Sequence, residues 1–223
     1  MAISIKNFVK NIDPEFPNSE IKIIEAPYIG TQMKFIKKQF PTSKILCNNG
    51  IIPSPKPNEP DFHCDAPFKP KSLEEAIKSQ PFKIVHIATH GTFSSSPDYT
   101  FVLAYEKRIN VDQLSELIRS REENRFEPIE LLIFSACKTA SGDKRAVLGI
   151  AGISVRVGAR STVASLYIVN DNSTSLLIKK FYKELSNVTK AEALHRAQLY
   201  LLGKRGYDKP KYWASYVLVG DWR

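Results

Sequence analysis

Cysteine is scarce in this sequence, and long apolar runs are missing. The 223 residues include three cysteines, and an odd number argues against the disulfide framework of a small secreted protein. No run reaches the roughly 18 to 20 apolar residues of a membrane-spanning helix. Lys6 stands where the apolar part of a signal peptide would lie. These absences exclude secreted miniproteins and membrane proteins, so we expect a cytoplasmic protein without membrane contact.

The charge is positive but dispersed. The chain has 32 Lys and Arg against 23 Asp and Glu, a net charge of +9, and every arginine lies at or after Arg108. Nucleic-acid binders cluster basic residues with aromatic ones or carry a recognised motif. Here the basic residues stand singly or in pairs, such as Lys37–Lys38. We expect a solvated basic surface and no nucleic-acid partner, with binding to an acidic partner left open.

Proline is concentrated in one stretch. Six of the 14 prolines lie between Pro53 and Pro70, which disfavours a helix or central strand and predicts an extended insert at about 48–71. Residues 1–20 form an N-terminal extension or the start of the domain, and 21–223 form a single domain. We expect a helix over 27–40. Ser72 and Glu75 have the spacing of a capping box and predict a helix over 72–79.

After Pro81, short apolar runs alternate with helical patterns. The predicted strands are 83–88, 99–105, 130–135, 161–169 and 215–220. The predicted helices are 111–120, 145–158, 173–185 and 189–203, of which the last begins with the capping-box pair Thr189 and Glu192. This alternation predicts an α/β fold: a mostly parallel sheet with helices on both faces.

Two predicted strands run directly into reactive residues. Strand 83–88 is followed by Thr89-His90-Gly91, and strand 130–135 by Ala136-Cys137-Lys138. If these strands are neighbours, His90 and Cys137 meet at the carboxyl edge of the sheet, where α/β proteins bind ligands. An imidazole beside a thiol stabilises the nucleophilic thiolate. The alternative is a buried structural cysteine and a loop histidine.

Four segments together resemble a known family. HIATHGTFSS, LLIFSACKTASGDKRAVLGIAG, GARSTVASLYIVND and YWASYVLVGDW are similar to the CHAT family, caspase-like domains often found behind TPR repeats. The resemblance implies a caspase-like three-layer sandwich and a cysteine endopeptidase with His90 and Cys137 as its catalytic dyad. It implies a protein or peptide substrate, no cofactor or metal, and an activating partner such as a TPR-containing protein.

The expected chemistry is acyl transfer. The Cys137 thiolate attacks the scissile carbonyl, and His90 protonates the leaving amine and then activates water. Gly91, which lacks a side chain, can bring its N–H close to the oxyanion, and the N–H of Cys137 can be the second donor. In relatives from the clan of caspases, metacaspases and separase, to which the resemblance points, the same two backbone groups form the oxyanion hole.

Asp171 is the main candidate for substrate selection. The stretch 166–171 resembles the separase segment whose aspartate receives a basic P1 side chain, so Asp171 would select Arg or Lys. Alternatively, Asp171 precedes a helix, and an acid there suits the helix dipole. Tyr167 stands where the family commonly has tryptophan. Further candidate substrate contacts are Ser135, Asp143 and, more remotely, Asp98.

For the other polar residues that stand out, we expect no role in catalysis or metal binding. His86 shares strand parity with His90, but we expect it to be a hydrogen-bonded core residue. Cys47, His63 and Cys64 lack the second spaced pair of a zinc site. Two rival functions remain. The first is a catalytically silent caspase-like interaction module, which would have no chemical need for both dyad residues, and the second is a basic protein that binds nucleic acid or an acidic protein.

Overall fold

The structure, a computed structural model, describes most of the chain. The described residues are 2–4, 27–47, 51–52, 60–94, 96–105, 107–121, 127–135, 138–139, 146–167 and 169–223. Within these ranges, no helix is long and apolar enough to cross a membrane.

The described elements alternate along the chain. The strands are β1 (Ala2–Ser4), β2 (Ile45–Cys47), β3 (Ile51–Ile52), β4 (Phe62–His63), β5 (Ala66–Pro67), β6 (Ile84–Ala88), β7 (Gly91–Phe93), β8 (Phe101–Ala104), β9 (Lys107–Asn110), β10 (Leu131–Ser135), β11 (Lys138–Thr139), β12 (Ser161–Ser165) and β13 (Tyr216–Gly220). The helices are α1 (Pro27–Gln39), α2 (Pro70–Ser79), α3 (Val111–Arg119), α4 (Ala146–Val157), α5 (Asp171–Leu185), α6 (Lys190–Leu202) and α7 (Pro210–Trp213).

Seven strands form the central sheet, in the order β13-β12-β10-β6-β1-β2-β5. All neighbouring pairs are parallel except β12 with β13. Alternate residues of the central strands face opposite sides, so each face needs its own helical cover. This is the predicted mostly parallel α/β sheet.

Two apolar cores flank the sheet. On one face Val85, Ile87 and Phe134 pack with buried side chains of α2, α3 and α4. On the other face Ile133 and Val163 pack with α1, α5 and α6. The result is a three-layer sandwich, helices–sheet–helices, which confirms the predicted architecture.

A second, four-stranded sheet extends the carboxyl end of the central one, in the order β11-β7-β8-β9. The predicted strand 99–105 therefore belongs to this small sheet as β8, which pairs with β7 and β9. Its mixed burial pattern, half-buried and buried in turn, fits a strand covered on one face only.

Helix α2 begins earlier than the capping-box prediction placed it. Pro70 is its first residue and Lys69 its N-cap, without a side-chain cap, so Ser72 lies inside the first turn. Proline suits this position because its missing N–H needs no partner there. In contrast, Thr189 accepts a hydrogen bond from Glu192 N as predicted, and α4 ends at Val157, directly before Gly158, whose φ is +67°.

Three short strands at one side of the central sheet, β1, β2 and β5, were not predicted from the sequence pattern. β1, from Ala2 to Ser4, lies between β2 and β6, so the start of the chain is part of the sheet. β5 comes from the predicted insert and is an edge strand, the position that tolerates Pro67. Residues 53–59 of that insert lie outside the described part.

Candidate functional site

The strands that precede His90 and Cys137 are direct neighbours, which is the condition under which the two residues were expected to meet. β6 and β10 pair in parallel, and Ala88, the last residue of β6, is the register partner of Ser135, the last residue of β10. Beyond this edge the pairing resumes between Thr92 of β7 and Lys138 of β11. The described residues on either side of position 137 are thus held against residues on either side of His90. Cys137 itself lies outside the described residues, as does Asp143.

His90 is fixed through its backbone while its side chain stays exposed. Its carbonyl oxygen accepts a hydrogen bond from Leu103 N at 2.8 Å, and the preceding Thr89 hydroxyl donates to the carbonyl oxygen of Leu103, also at 2.8 Å. These bonds tie the end of β6 to β8. The imidazole therefore projects from a backbone that two elements hold in place.

Gly91 is required by the close approach of β8. A Cβ atom at this position would lie 2.6 Å from the carbonyl oxygen of Phe101. This distance is a steric clash for every residue other than glycine. The hydrogen bond between Leu103 and His90 makes their pair a bonded one, and Gly91 and Val102 form the next pair along the ladder. Because successive antiparallel pairs alternate, Gly91 directs its N–H away from β8.

Asp171 and His90 lie close enough to interact electrostatically. Asp171 is the first residue of α5, behind the N-cap Asn170, whose side chain accepts a hydrogen bond from Ser173 N at 3.1 Å. His90 is exposed as a residue, but the surrounding protein removes part of the water around its ring, and this loss of hydration lowers the pKa of His90. The Asp171 carboxylate opposes that effect. Burial raises the pKa of Asp171, and a positive His90 opposes it. A proton on His90 and the charge of Asp171 thus stabilise each other.

Tyr167 lies in the segment that connects β12 to α5. Its hydroxyl donates to the carbonyl oxygen of Pro210 at 3.2 Å, which joins this segment to α7, and burial raises its pKa. Nearby, Asn172 donates to the Tyr207 hydroxyl at 2.7 Å, and the Tyr207 ring packs edge-on against Tyr212. Tyr167, Tyr207 and Tyr212 therefore form an aromatic cluster beside the start of α5. The sequence analysis did not predict this cluster.

Ser135 and His86 form part of a buried polar cluster. His86 is 1% exposed, and its Nε2 lies 2.8 Å from Ser135 Oγ, while its Nδ1 lies 3.0 Å from the Tyr182 hydroxyl. This confirms His86 as a hydrogen-bonded core residue. Ser135 is equally buried, which does not favour direct substrate contact. Asp98 is exposed in the short 3₁₀ turn Pro97–Tyr99.

Cys47 and Cys64 form a disulfide. The sequence analysis did not predict this bond, because it read the odd number of cysteines as an argument against a disulfide framework. His63 is exposed beside it. Among the described residues, no group of three or more His, Cys, Asp or Glu side chains is arranged to hold a metal ion.

Comparison with known proteins now identifies the family. The family model of the CHAT domain matches residues 13–221, nearly the whole chain. The chain belongs to the CHAT family. The resemblance that the sequence motifs indicated is therefore confirmed, and the CHAT match includes the segments around His90, Cys137 and Asp171.

Two further comparisons complete the description of this CHAT domain. No curated protein sequence matches the chain. Among solved structures, caspase-1 from Spodoptera frugiperda is similar, with a TM-score of 0.48 and 12% sequence identity over 99% of this chain and 85% of that chain.

Proposed function

We propose that this CHAT domain is a cysteine endopeptidase with His90 and Cys137 as its catalytic dyad. The observation that carries the proposal is the register of β6 and β10, in which Ala88 pairs with Ser135. His90 and Cys137 each follow two residues after this pair. The pairing of Thr92 with Lys138 on the far side supports the same neighbourhood for the two reactive residues.

The reaction then proceeds in two acyl-transfer steps. The Cys137 thiolate attacks the scissile carbonyl carbon, the peptide C–N bond breaks, and His90 gives its proton to the departing amine. His90 next takes a proton from water, which attacks the thioester and releases the acid product and the thiolate. Loss of hydration lowers the pKa of His90 below its ordinary value of 6.5, so the neutral imidazole that the second step needs is accessible near pH 7. The Asp171 carboxylate opposes this effect and favours the protonated imidazole that the first step needs.

Gly91 supports the first step as an oxyanion donor. Its N–H points away from β8 and therefore is not used in pairing with that strand. A backbone donor held by a strand needs no reorganisation when the oxyanion forms, and one such donor is typically worth roughly 3 kcal/mol in the transition state. The N–H of Cys137 is the proposed second donor.

Asp171 supports a preference for Arg or Lys at P1. The P1 side chain belongs to the residue whose carbonyl is attacked, so its pocket has to adjoin the dyad. Asp171 interacts electrostatically with His90, and Tyr167 lies on the segment leading to it. The helix-dipole role is compatible, since Asp171 is in the first turn of α5.

The biological setting completes the proposal. We assign a protein or peptide substrate, activation by a partner such as a TPR-containing protein, and a role in a regulated signalling or defence system. The Cys47–Cys64 disulfide argues against the cytoplasmic location expected from the sequence, because disulfides persist mainly in oxidising compartments.

A panel of fluorogenic peptides tests the dyad. Substrates vary at P1 over Arg, Lys, Asp, Leu and Ala, and the variants are Cys137→Ala, His90→Ala and, as a matched control, the exposed His195→Ala. We expect cleavage after Arg or Lys that both dyad variants abolish and His195→Ala retains. Cleavage that survives Cys137→Ala would overturn the dyad. Silence of the purified protein, even with a candidate TPR partner added, would favour the interaction module.

The same panel separates the two roles of Asp171. If Asp171 receives the P1 side chain, Asp171→Asn lowers kcat/KM for Arg substrates about 10- to 100-fold and spares Leu substrates, because only Arg loses a charge-assisted hydrogen bond. If Asp171 acts only on His90 or the helix, both substrates lose equally. Asp208→Asn, an exposed residue, controls for the change in net charge.

A further inference from the structure

A buried histidine lies beneath the proposed active site and is not used in the chemistry. His86 stands four residues before His90 in β6, in a strand whose neighbours Val85 and Ile87 are wholly buried apolar residues. Burying an imidazole among such residues is costly unless its nitrogens are hydrogen-bonded. Both nitrogens have partners: Ser135 Oγ at Nε2 and the Tyr182 hydroxyl at Nδ1. Gln32 Nε2 also lies 3.5 Å from His86 Nε2.

The cluster is uncharged at neutral pH. Burial lowers the pKa of His86 to about 3 and raises that of Tyr182. Tyr182 is 2% exposed and Gln32 is likewise 2% exposed, so water does not compete for these bonds. In a buried network of neutral groups that are all hydrogen-bonded, each hydrogen bond fixes the position of one side chain relative to another.

His86 connects the elements that carry the proposed site. Ser135 is the last residue of β10 and stands two residues before Cys137. Tyr182 belongs to α5, whose first residue is Asp171. His86 itself is on the strand that ends just before His90. The side chain of His86 thus connects three elements: the strands that lead to the proposed nucleophile Cys137 and base His90, and the helix that begins with Asp171.

We propose that His86 is a positioning residue, which holds the Ser135 hydroxyl and thereby sets the end of β10 so that Cys137 is aligned with His90. The inference rests on the proposed function. It differs from a purely structural role, since in that case the bond to Ser135 would contribute to stability alone.

Two amide substitutions separate the bonds of His86. The Gln amide group lies one bond farther from the backbone than that of Asn, so His86→Gln can reach the position of Nε2 and His86→Asn that of Nδ1. His86→Gln therefore keeps the contact with Ser135 and loses the one with Tyr182, and His86→Asn does the reverse. The two variants are matched in chemistry, and thermal unfolding identifies any variant that fails to fold.

Kinetics on the folded variants give the first readout. We expect His86→Asn and Ser135→Ala each to lower kcat for an Arg substrate at least tenfold with KM within about twofold. We expect His86→Gln to stay within about threefold of the unsubstituted protein. The double variant His86→Asn/Ser135→Ala should lose no more than either single one. Equal kcat in His86→Asn and His86→Gln would overturn the inference, and Ser135→Ala decides it if His86→Asn does not fold.

Alkylation of Cys137 gives a readout that does not need peptidase activity. With Cys47 and Cys64 bonded, Cys137 is the remaining thiol. We expect iodoacetamide to modify it at least threefold more slowly in His86→Asn and Ser135→Ala than in His86→Gln, because the misaligned thiol loses thiolate stabilisation by His90. Equal rates would overturn the inference. Failure of the proposed function would instead appear as absent Cys137-dependent cleavage, whatever the alkylation rates.

Discussion

His90 is subject to two opposing influences whose balance can be measured. Loss of hydration lowers its pKa, whereas the Asp171 carboxylate raises it. Removing that carboxylate leaves the first effect unopposed. NMR titration of the four histidines, with His90→Ala to assign the signal, should therefore give His90 a pKa below 6.5 and a still lower one in Asp171→Asn. Asp208→Asn should leave it unchanged. A rise in Asp171→Asn would show that the two groups do not interact as described.

His86 makes stability depend on pH. The unfolded chain binds a proton on this imidazole below pH 6.5, and the folded chain does not until about pH 3. The free energy of unfolding should therefore fall as the pH falls through this window, with a contribution from His86 of roughly 1 kcal/mol per pH unit. Denaturant unfolding between pH 6.5 and 4.5 should give a correspondingly smaller slope in His86→Gln. The exposed His195→Gln should keep the full slope, and an unchanged slope in His86→Gln would refute the assignment.

At the residue scale, the sequence predicted single positions better than partnerships. His90 was predicted because it directly follows an apolar strand, and His86 because it lies inside one. The partners Tyr182 and Gln32 come from α5 and α1, far along the chain, and only the packing of both helices on one face of the sheet brings them to His86. No local sequence pattern predicts these contacts with His86.

Helix α4 contains a glycine that its packing requires and one that it does not. A Cβ at Gly149 would overlap the backbone carbonyl of Ser94, just after β7, whereas a Cβ at Gly152 meets no heavy atom within 4 Å. Gly149→Ala should lower the free energy of unfolding by about 1–3 kcal/mol through overpacking. Gly152→Ala should raise it by about 0.5–1 kcal/mol, since alanine restricts the unfolded chain. Denaturant unfolding measures both, and destabilisation of similar size in the two variants would contradict this packing.

At the element scale, prediction depended on length. The five-residue strands β6 and β10 form apolar runs that stand out in the sequence, and their ends were predicted to within a residue or two. β1 has three residues and β5 two, too few for a periodic pattern. These strands exist because neighbouring strands supply their hydrogen bonds, which is information held elsewhere in the chain.

The disulfide joins the central sheet to the segment predicted as an insert. It closes a loop of 17 residues between Cys47, at the end of β2, and Cys64. Cys64→Ser should therefore lower the free energy of unfolding by about 3 kcal/mol under non-reducing conditions. A reductant should lower the unfolding midpoint of the original protein and not that of the variant. Thiol titration of the denatured protein should find one thiol before reduction and three after it. Three thiols before reduction would contradict the bond.

At the scale of the whole molecule, the alternation of strands and helices predicted a mostly parallel α/β sheet covered by helices on both faces. The family was indicated by the resemblance of four motif-bearing segments, which the CHAT family model confirms. The disulfide was not predictable, because the pairing of Cys47 with Cys64 depends on how the Pro-rich segment returns to the edge of the sheet. The small sheet beside the site was missed for a similar reason: β7 and β11 are too short to be recognised, yet their pairing holds together the two chain segments that directly follow the proposed dyad residues.

Covalent capture tests the central claim most directly. A peptide acyloxymethyl ketone with Arg at P1 alkylates a cysteine only where thiolate, base and P1 pocket coincide, and peptide mass spectrometry locates the modified residue. We expect modification of Cys137 in the unsubstituted protein, at least tenfold slower labelling with Leu at P1, and almost none in His90→Ala. Labelling of Cys137 that proceeds equally with Leu at P1 and without His90 would contradict the account of this CHAT domain as a dyad peptidase.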